Sequence, residues 1–271
     1  MKILEYSLNN VLTVSILFLV VFICLLISTS CVFGNLLCSH LLYSSSSLYN
    51  SWSSDLGYVQ KVSSQVLSKC YQALTLFEQL GHVVETDRKV VLPDMSREWG
   101  LAMGIQEMLM LKNSLADQNR DQMEYFFHRS WSALENMKVK RIGHVQRSGF
   151  QLNEALKTIF QQTDILITPC LPIDAFQKSG PMPISIDGEK LQNPMHIVGF
   201  MYPFNFSGHP SIVLRIGMSD QGLPLGIQLV AERYNDSLLL RIGKQYEAIS
   251  GCYDYFPTPK EILSNGKNSK M

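Results

Sequence analysis

Residues 202–230 have the sequence YPFNFSGHPSIVLRIGMSDQGLPLGIQLV, in which two apolar segments each follow a glycine and a proline. Gly208 and Gly222 supply turn conformations that other residues adopt only with strain. Pro210 and Pro224 then stiffen the entries into the two apolar segments. Turns at the start of both segments favour two strands that lie side by side in one sheet.

The remaining globular sequence alternates helical and strand patterns. Apolar residues recur at spacings of three and four over residues 62–80, and Gly81 stands where a left-handed helix end belongs, so a helix is predicted there. The other predicted elements are helices over residues 99–115, 141–160 and from Asn235 or Asp236 to about residue 249, and strands over residues 82–85, 165–167, 211–214 and 226–230. This alternation indicates an α/β fold with a mixed sheet flanked by helices.

The composition excludes several classes of function. The chain has 271 residues, enough to bury a substantial core, and its 23 basic residues balance its 23 acidic ones. With no net charge and no basic stripe, no nucleic-acid partner is expected. The six cysteines include no Cys-x-x-Cys pair and the six histidines form no His-Glu-x-x-His motif. We therefore expect free thiols, no metal site and no cofactor.

The N-terminal sequence is strongly hydrophobic. No charged residue occurs over residues 6–54, and residues 11–33 are almost entirely apolar. About 20 apolar residues suffice to cross the hydrocarbon core as a helix. Residues 1–42 are therefore predicted to hold a single-pass transmembrane anchor that contacts membrane lipid through residues 11–33. A cleaved signal peptide, which would make the protein secreted, and translated non-coding sequence are the competing interpretations, since Lys2 gives a positive start and residues 28–30 are small.

Three further segments follow the hydrophobic one. Residues 43–55 are rich in serine and are predicted to form a flexible, solvated linker. Residues 56–256 are predicted to form the globular part. Residues 257–271 are mostly polar and are predicted to form a frayed tail.

Three segments carry a family pattern in one consistent order. Residues 80–84 read LGHVV, a helix end followed by Gly-His-x-Val, and residues 164–169 read DILITP, an Asp-aliphatic-aliphatic-aliphatic-Thr-Pro strand. Residues 202–230 contain the Pro-x-Asn-x-x-Gly-x-Pro block and a Gly-Leu-Pro-aliphatic-Gly-aliphatic-Gln strand. Together they resemble the C-terminal part of the amidase-signature family, over roughly residues 56–250. Within that family, the sequence around residues 94–107 and the hydrophobic segment are most similar to fatty-acid amide hydrolase type 2.

The resemblance implies a chemistry whose residues are missing. Amidase-signature enzymes hydrolyse carboxylic amides with a serine nucleophile, a second serine and a lysine, beside a Gly-Gly-Ser-Ser-Gly-Gly motif whose backbone amides form the oxyanion hole. The 271 residues contain no Gly-Gly dipeptide, and their serine clusters lack flanking glycines. The resemblance therefore implies a partial amidase-signature fold with no catalytic residue of its own.

The block from residue 202 onward supplies the candidate binding residues. By resemblance, Phe204, Asn205 and Gly208 would line the wall of a pocket for an amide or acyl small molecule. The alternative is that these three residues only build the turn and its packing. His209 lies in the same turn, but no serine or cysteine motif accompanies it, so a general-base role is not expected.

Three functional hypotheses follow from the sequence. The leading one is an amidase-family chain that hydrolyses no amide by itself. The second is one half of a split amidase, with a partner chain supplying the catalytic half. The third is a membrane-anchored protein that binds acyl chains or a partner.

Overall fold

The computed structural model describes residues 47–102, 139–176 and 182–253. Its main helices are α1 (Ser64–Gln79), α2 (Val139–Phe160), α3 (Tyr202–Ser207) and α4 (Asp236–Ser250). Its strands are β1 (Tyr49–Trp52), β2 (Val83–Glu85), β3 (Ile165–Pro169), β4 (Ser185–Ile186), β5 (Glu189–Lys190), β6 (Ser211–Met218) and β7 (Pro224–Ala231). Five of the strands form one sheet in the order β2-β1-β3-β7-β6, and β4 and β5 form a separate hairpin.

The chain divides into two compact units. They comprise Met1–Ser46 with Asp94–Asn153, and Ser47–Pro93 with Glu154–Met271. In the first unit the Asp94 carboxylate accepts the backbone N–H of Ser96 at 2.9 Å, at the start of a helical segment over residues 96–102. The second unit contains the whole five-stranded sheet.

Several predicted segments lie outside the described residues. These are the anchor at residues 11–33, residues 103–115 of one predicted helix, and the polar tail at residues 257–271. Across the parts of the chain that are described, no helix combines the length and the apolar content that a membrane crossing requires.

The five-stranded sheet is mixed. β2, β1 and β3 run parallel, and Asn50 of β1 is in register with Val84 of β2 and with Ile165 of β3. β7 runs antiparallel to both β3 and β6, so the two strands predicted from residues 202–230 do lie side by side. Gly208 and Gly222 both adopt the left-handed conformation, with φ of 72° and 74°. The predicted α/β fold with a mixed sheet flanked by helices is confirmed.

One face of the sheet packs against α1 and α4. The Trp52 ring contacts Tyr71 of α1 with 5.7 Å between ring centroids. A Cβ atom at Gly243 of α4 would come within 2.9 Å of Ile212, so the missing side chain lets α4 approach the strands. The buried apolar side chains of this face are Trp52, Ile165, Ile167, Ile212, Leu214, Ile227 and Leu229.

The opposite face of the sheet carries a buried hydrogen-bonded amide. Side chains alternate along a strand, so Gln228 of β7 points away from α1 and α4. Its Nε2 donates to the backbone oxygen of Phe200 at 2.8 Å and to Thr168 Oγ1 at 3.2 Å. Phe200 precedes α3, so this amide fastens the segment leading into α3 to the second face.

The prediction of a flexible linker over residues 43–55 is wrong from residue 48 onward. β1 lies between β2 and β3 in the sheet, and Leu48 and Trp52 are buried. Asn50 and Ser51 are polar but fully buried, because backbone pairing on both sides places them in the sheet interior. Tertiary pairing outweighs composition here, as it often does for strands.

Helix α1 confirms the helix predicted before Gly81, whose φ is 85°. Its N-terminus is capped from a distance, because the Ser64 backbone N–H donates to Asp187 Oδ2 at 2.8 Å. Asp187 and Gly188 are both left-handed and form the tight turn of the β4-β5 hairpin. The hydrogen bond from Ser64 lowers the pKa of the Asp187 carboxyl, so at neutral pH an anion caps the helix.

Asn50 generates a stability prediction. Its side chain is 0% exposed, and neither Oδ1 nor Nδ2 has a hydrogen-bond partner among the described residues. Leucine has nearly the same shape and no polar atoms to leave unpaired, so Asn50→Leu is expected to raise the free energy of unfolding by about 1–3 kcal/mol. Urea unfolding of the full chain followed by circular dichroism measures this change.

Gln228→Met is the matched control for Asn50→Leu. It removes an amide that is buried and bonded to Phe200 and Thr168, so it is expected to lower the same free energy by about 1–3 kcal/mol. A destabilised Asn50→Leu protein would show that the Asn50 amide is bonded in solution, for example to a buried water.

His82 generates a pH prediction. Its Nδ1 accepts the backbone N–H of Leu48 at 3.3 Å, and its Nε2 lies 3.3 Å from Gln245 Oε1 of α4. Burial lowers the pKa of His82 from its ordinary value of 6.5, an effect that the nearby Arg241 reinforces and the bond to Gln245 opposes. The neutral ring therefore stabilises the fold above about pH 6.5, and this stability is lost as the pH falls through the lowered pKa.

Urea unfolding at a series of pH values from 8 to 5 tests this expectation. The His82→Gln variant should lose less stability on acidification than the parent chain. His144→Gln is the control, since the His144 side chain is 61% exposed. An unchanged pH dependence in His82→Gln would contradict the assignment.

Candidate functional site

The connections that leave β1 and β3 run to opposite faces of the sheet. After β1 the chain enters α1, which packs on the face that holds Trp52. After β3 the chain leads, through the β4-β5 hairpin, to Phe200 and α3, and Phe200 bonds to Gln228 on the other face. In open α/β sheets, ligands bind outside the carboxyl ends of the strands at such a reversal. The topology therefore points to a site beyond the ends of β1 and β3.

Four residues define this place, which we call the switch-point site: Ser53, Asp55, Thr168 and Cys170. The Ser53 backbone N–H donates to the oxygen of Ile167 at 3.0 Å, which continues the pairing of β1 with β3. The Ser53 hydroxyl accepts the backbone N–H of Leu56 at 2.9 Å.

The turn after β1 is held by its own polar groups. Asp55 Oδ1 accepts the backbone N–H of Gly57 at 2.7 Å, and the backbone oxygen of Asp55 accepts the N–H of Val59 at 2.8 Å. Leu56 and Gly57 are both left-handed, with φ of 54° and 80°. The carboxylate of Asp55 thus holds a sharp turn at the strand end, and its exposed position leaves it accessible to solvent.

The other half of the switch-point site lies at the end of β3. The Cys170 backbone N–H donates to the oxygen of Gly226 at 3.1 Å, and its side chain is half-buried. Cys70 lies near it on α1, and burial raises the pKa of the Cys70 thiol to about 12, with a smaller contribution from Cys170. Cys70 therefore stays a protonated packing group at neutral pH.

The hydroxyl groups of the switch-point site are engaged in the fold. Hydrolysis of an amide requires a nucleophile with a base beside it and donors aimed at the developing oxyanion. Here the Ser53 hydroxyl serves the turn, and Thr168 Oγ1 accepts from Gln228 and donates to Pro169. Thr168 is fully buried and Ser53 nearly so, and their hydrogen bonds give neither hydroxyl an activating base.

The predicted residues Phe204, Asn205 and Gly208 lie at the opposite end of the sheet. β6 begins just after them, and its first residue pairs with the end of β7, beside the amino end of β3. All three line one surface cavity of ≈ 550 Å³, which we call the amino-end groove. Its lining residues are Phe204, Asn205, Gly208, His209, Pro210, Arg233, Tyr234 and Asp236.

Arg233, which follows β7, bonds to the C-terminal end of α3 at the amino-end groove. Helix α3 ends at Gly208, whose N–H donates to the oxygen of Phe204 at 2.8 Å. Arg233 Nε donates to the backbone oxygen of Ser207 at 3.0 Å, and its Nη2 donates to the same oxygen. A cation on carbonyl groups at a helix C-terminus is favourable, so this contact stabilises the α3 end and the start of β6.

His209 follows Gly208 and also lines the amino-end groove. Its Nδ1 lies 2.9 Å from the hydroxyl of Ser207, and its ring stacks on Phe160 with 5.4 Å between centroids. Burial, with the charge of Arg233, lowers the pKa of His209 to about 4, so the ring is neutral at pH 7. Ser207 is almost fully buried, which keeps its hydroxyl from acting as a nucleophile on a soluble substrate.

Three residues of the two sites were not predicted from the sequence: Asp55 at the switch-point site, and Arg233 and Tyr234 at the amino-end groove. Asp55 stood inside the segment predicted to be a linker, although its position before Leu56-Gly57 is typical of a turn. Arg233 and Tyr234 carry no local pattern, since Arg233 contacts Ser207, 26 positions earlier, and Tyr234 lines the groove with Gly208. Only the antiparallel pairing of β6 with β7 brings them to Gly208.

Comparison with known proteins agrees with this architecture. The sequence profile of the amidase family matches residues 58–240. The acylamidase of Rhodococcus erythropolis is 24% identical over 218 residues, which cover 79% of this chain and 44% of that protein. One component of the glutamyl-tRNA(Gln) amidotransferase of Mycobacteroides abscessus is 32% identical over 114 residues, 41% of this chain and 21% of that component.

The solved structures extend the match to the fold. A bacterial aryl acylamidase of the amidase-signature family superposes with a TM-score of 0.64 at 22% identity, over 78% of this chain and 45% of that one. The chain thus spans less than half the length of these relatives. Because the family profile covers most of the globular sequence, the chain belongs to the amidase family, the amidase-signature enzymes.

Proposed function

We propose that this chain supplies the amide-binding part of an amidase-signature hydrolase and hydrolyses no amide by itself. The observation that carries the proposal is the absence, in all 271 residues, of a Gly-Gly dipeptide or a glycine-flanked serine pair. Without such a loop, backbone amides do not approach an oxyanion closely, and the nucleophile has no adjacent serine and lysine to accept its proton.

The carboxyl ends of β1 and β3 are the proposed place of amide binding. The switch-point site lies there, with a buried threonine and serine, an exposed carboxylate and a half-buried thiol. The exposed carboxylate of Asp55 and the half-buried side chain of Cys170 would contact the polar part of a ligand, and the chemical step would come from residues elsewhere.

The proposed substrate class is a carboxylic amide. The relatives named as acylamidases support this choice, since an acylamidase acts on acyl amides. A fatty-acid amide is the narrower proposal, which rests on the resemblance of the hydrophobic N-terminal segment and residues 94–107 to fatty-acid amide hydrolase type 2.

A partner chain is the second part of the proposal. Several relatives are named as one component of a glutamyl-tRNA(Gln) amidotransferase, so a member of the family can work within an assembly. A partner that brings the serines and the lysine would complete the chemistry here. A membrane-anchored binding protein without a hydrolytic partner is the alternative, favoured by the apolar run at residues 11–33.

The first functional prediction concerns serine reactivity. A fluorophosphonate probe reacts only with an activated serine hydroxyl, so the purified full chain is expected to stay unlabelled. Labelling is measured by intact-protein mass spectrometry. Acylamidase of Rhodococcus erythropolis, treated in parallel, is the positive control. Stoichiometric modification of one serine in this chain would contradict the proposal.

The second functional prediction concerns the membrane. Residues 11–33 are expected to carry the protein into the lipid fraction when it is synthesised with liposomes and floated on a density gradient. A variant with Leu17, Leu19 and Leu26 changed to Lys should stay with the soluble fraction, because charge inside an apolar span opposes insertion. The matched control changes the exposed residues Leu240 and Ile249 to Lys. If the variant with Lys at positions 17, 19 and 26 floats as well as the parent chain, residues 11–33 are not an anchor.

A further inference from the structure

We propose that the side chain of Asn235 is a site of N-linked glycosylation. The acceptor pattern for this modification is Asn-x-Ser or Asn-x-Thr, where x is any residue except proline. The 271 residues contain the pattern twice, at Asn205-Phe206-Ser207 and at Asn235-Asp236-Ser237. Such a triplet also arises by chance, so the pattern alone selects neither position. The two triplets differ in their structural surroundings, and this difference favours Asn235.

The Asn235 triplet lies in an exposed turn between β7 and α4. Residues 232–237 are all exposed, so the asparagine and the serine of the triplet both face solvent. Asn235 stands directly before α4, where an asparagine commonly accepts a hydrogen bond from the first turn of the helix. Among the described residues, its side chain makes no such capping bond. A sugar attached to this amide would therefore displace no contact of the helix start.

The Asn205 triplet is held inside the fold by its serine. Ser207 is 1% exposed, and its hydroxyl donates to the backbone oxygen of Phe204 at 3.3 Å and lies 2.9 Å from His209 Nδ1. The hydroxyl that the acceptor pattern requires is thus buried and bonded. Asn205 itself is exposed, but it lies within α3, next to the buried ring of Phe204. A transferase that meets the folded chain can reach a complete acceptor triplet only at Asn235.

The proposal rests on the N-terminal segment entering the membrane, and both of its membrane interpretations place Asn235 on the required side. Lys2 is the only basic residue before residues 11–33, and the next lysine or arginine after them is Lys61. Basic residues near a span remain in the cytoplasm, so an anchor at residues 11–33 would leave the globular part on the opposite, lumenal side. A cleaved signal peptide would deliver it to the same side.

The modification is a group transfer that needs no redox partner. The donor is an oligosaccharide joined through a diphosphate to a polyisoprenyl lipid of the same membrane. Asn235 Nδ2 forms a bond to C1 of the first sugar, and the bond between C1 and the diphosphate oxygen breaks. The amide nitrogen gives one proton to a base of the transferase, and the lipid diphosphate leaves. The attached glycan is bulky and hydrophilic, and an exposed turn accommodates such a group.

Cell-free synthesis of the full chain with endoplasmic-reticulum microsomes tests the proposal. We expect a band of reduced gel mobility that is protected from added protease and returns to the mobility of the unmodified chain after treatment with peptide N-glycosidase. That enzyme converts a glycosylated asparagine to aspartate, so digestion in ¹⁸O-labelled water followed by peptide mass spectrometry marks the modified position. The label is expected at residue 235.

Four variants identify the acceptor. Asn235→Gln removes the acceptor asparagine and Ser237→Ala removes the required hydroxyl, so each is expected to lose the retarded band. Ser237→Thr keeps a hydroxyl at that position and should keep the band. Asn205→Gln is the matched control, because it destroys the other triplet and is expected to leave the band unchanged.

Three results would overturn the proposal. One is a protease-protected parent chain with the mobility of the unmodified protein, which would leave the membrane insertion standing and exclude the glycan. Another is a retarded band that Asn235→Gln retains. The third is a parent chain that added protease digests completely, which would put Asn235 on the cytoplasmic side. None of these results bears on serine labelling, so the proposed amidase role is tested separately.

Discussion

β1 is bonded through its backbone on both sides, to β2 on one and to β3 on the other, and the rest of the sheet depends on this double pairing. β2 reaches β3 only through β1, and α1 packs on strands that β1 joins. Two side chains lock the entry of β1 in place. Asp164 accepts the backbone N–H of Tyr49 at 2.8 Å, and His82 accepts that of Leu48. The strand is short, but its neighbours fix its register at both ends.

The same strand determines where a ligand site can form. Because the chain leaves β1 toward α1 and leaves β3 toward α3, the two connections run to opposite faces beyond the strand ends. Ser53 and Asp55 follow directly after β1 at this place. On the opposite face, the buried Gln228 bonds to Thr168 and to the Phe200 backbone oxygen. Position in the topology, more than any local motif, distinguishes this end of the sheet.

The sequence predicts elements with strong local signals and misses those set by distant contacts. The helix before Gly81 and the strands of residues 202–230 were foreseeable, because helical spacing and turn chemistry are local. β1 was not, since its serines and Asn50 match a linker in composition and only pairing with β2 and β3 makes them a strand. The predicted pocket residues Phe204, Asn205 and Gly208 do line one groove. Their place at the amino end of the strands follows from the register of β6 with β7, which no local pattern specifies.

The edge strands show how this sheet avoids indiscriminate pairing. β2 is only three residues long, and Glu85 at its end bonds to Arg88 at 2.6 Å. Along β6 the backbone N–H of Arg215 donates to the hydroxyl of Tyr253 at 2.7 Å, next to a bulge between Arg215 and Gly217. The short length of β2, the charged side chains at its end and the bonded N–H of Arg215 on β6 each oppose the addition of another strand. The backbone edges of this sheet are therefore poor places for another strand, whereas the ends of the strands present side chains.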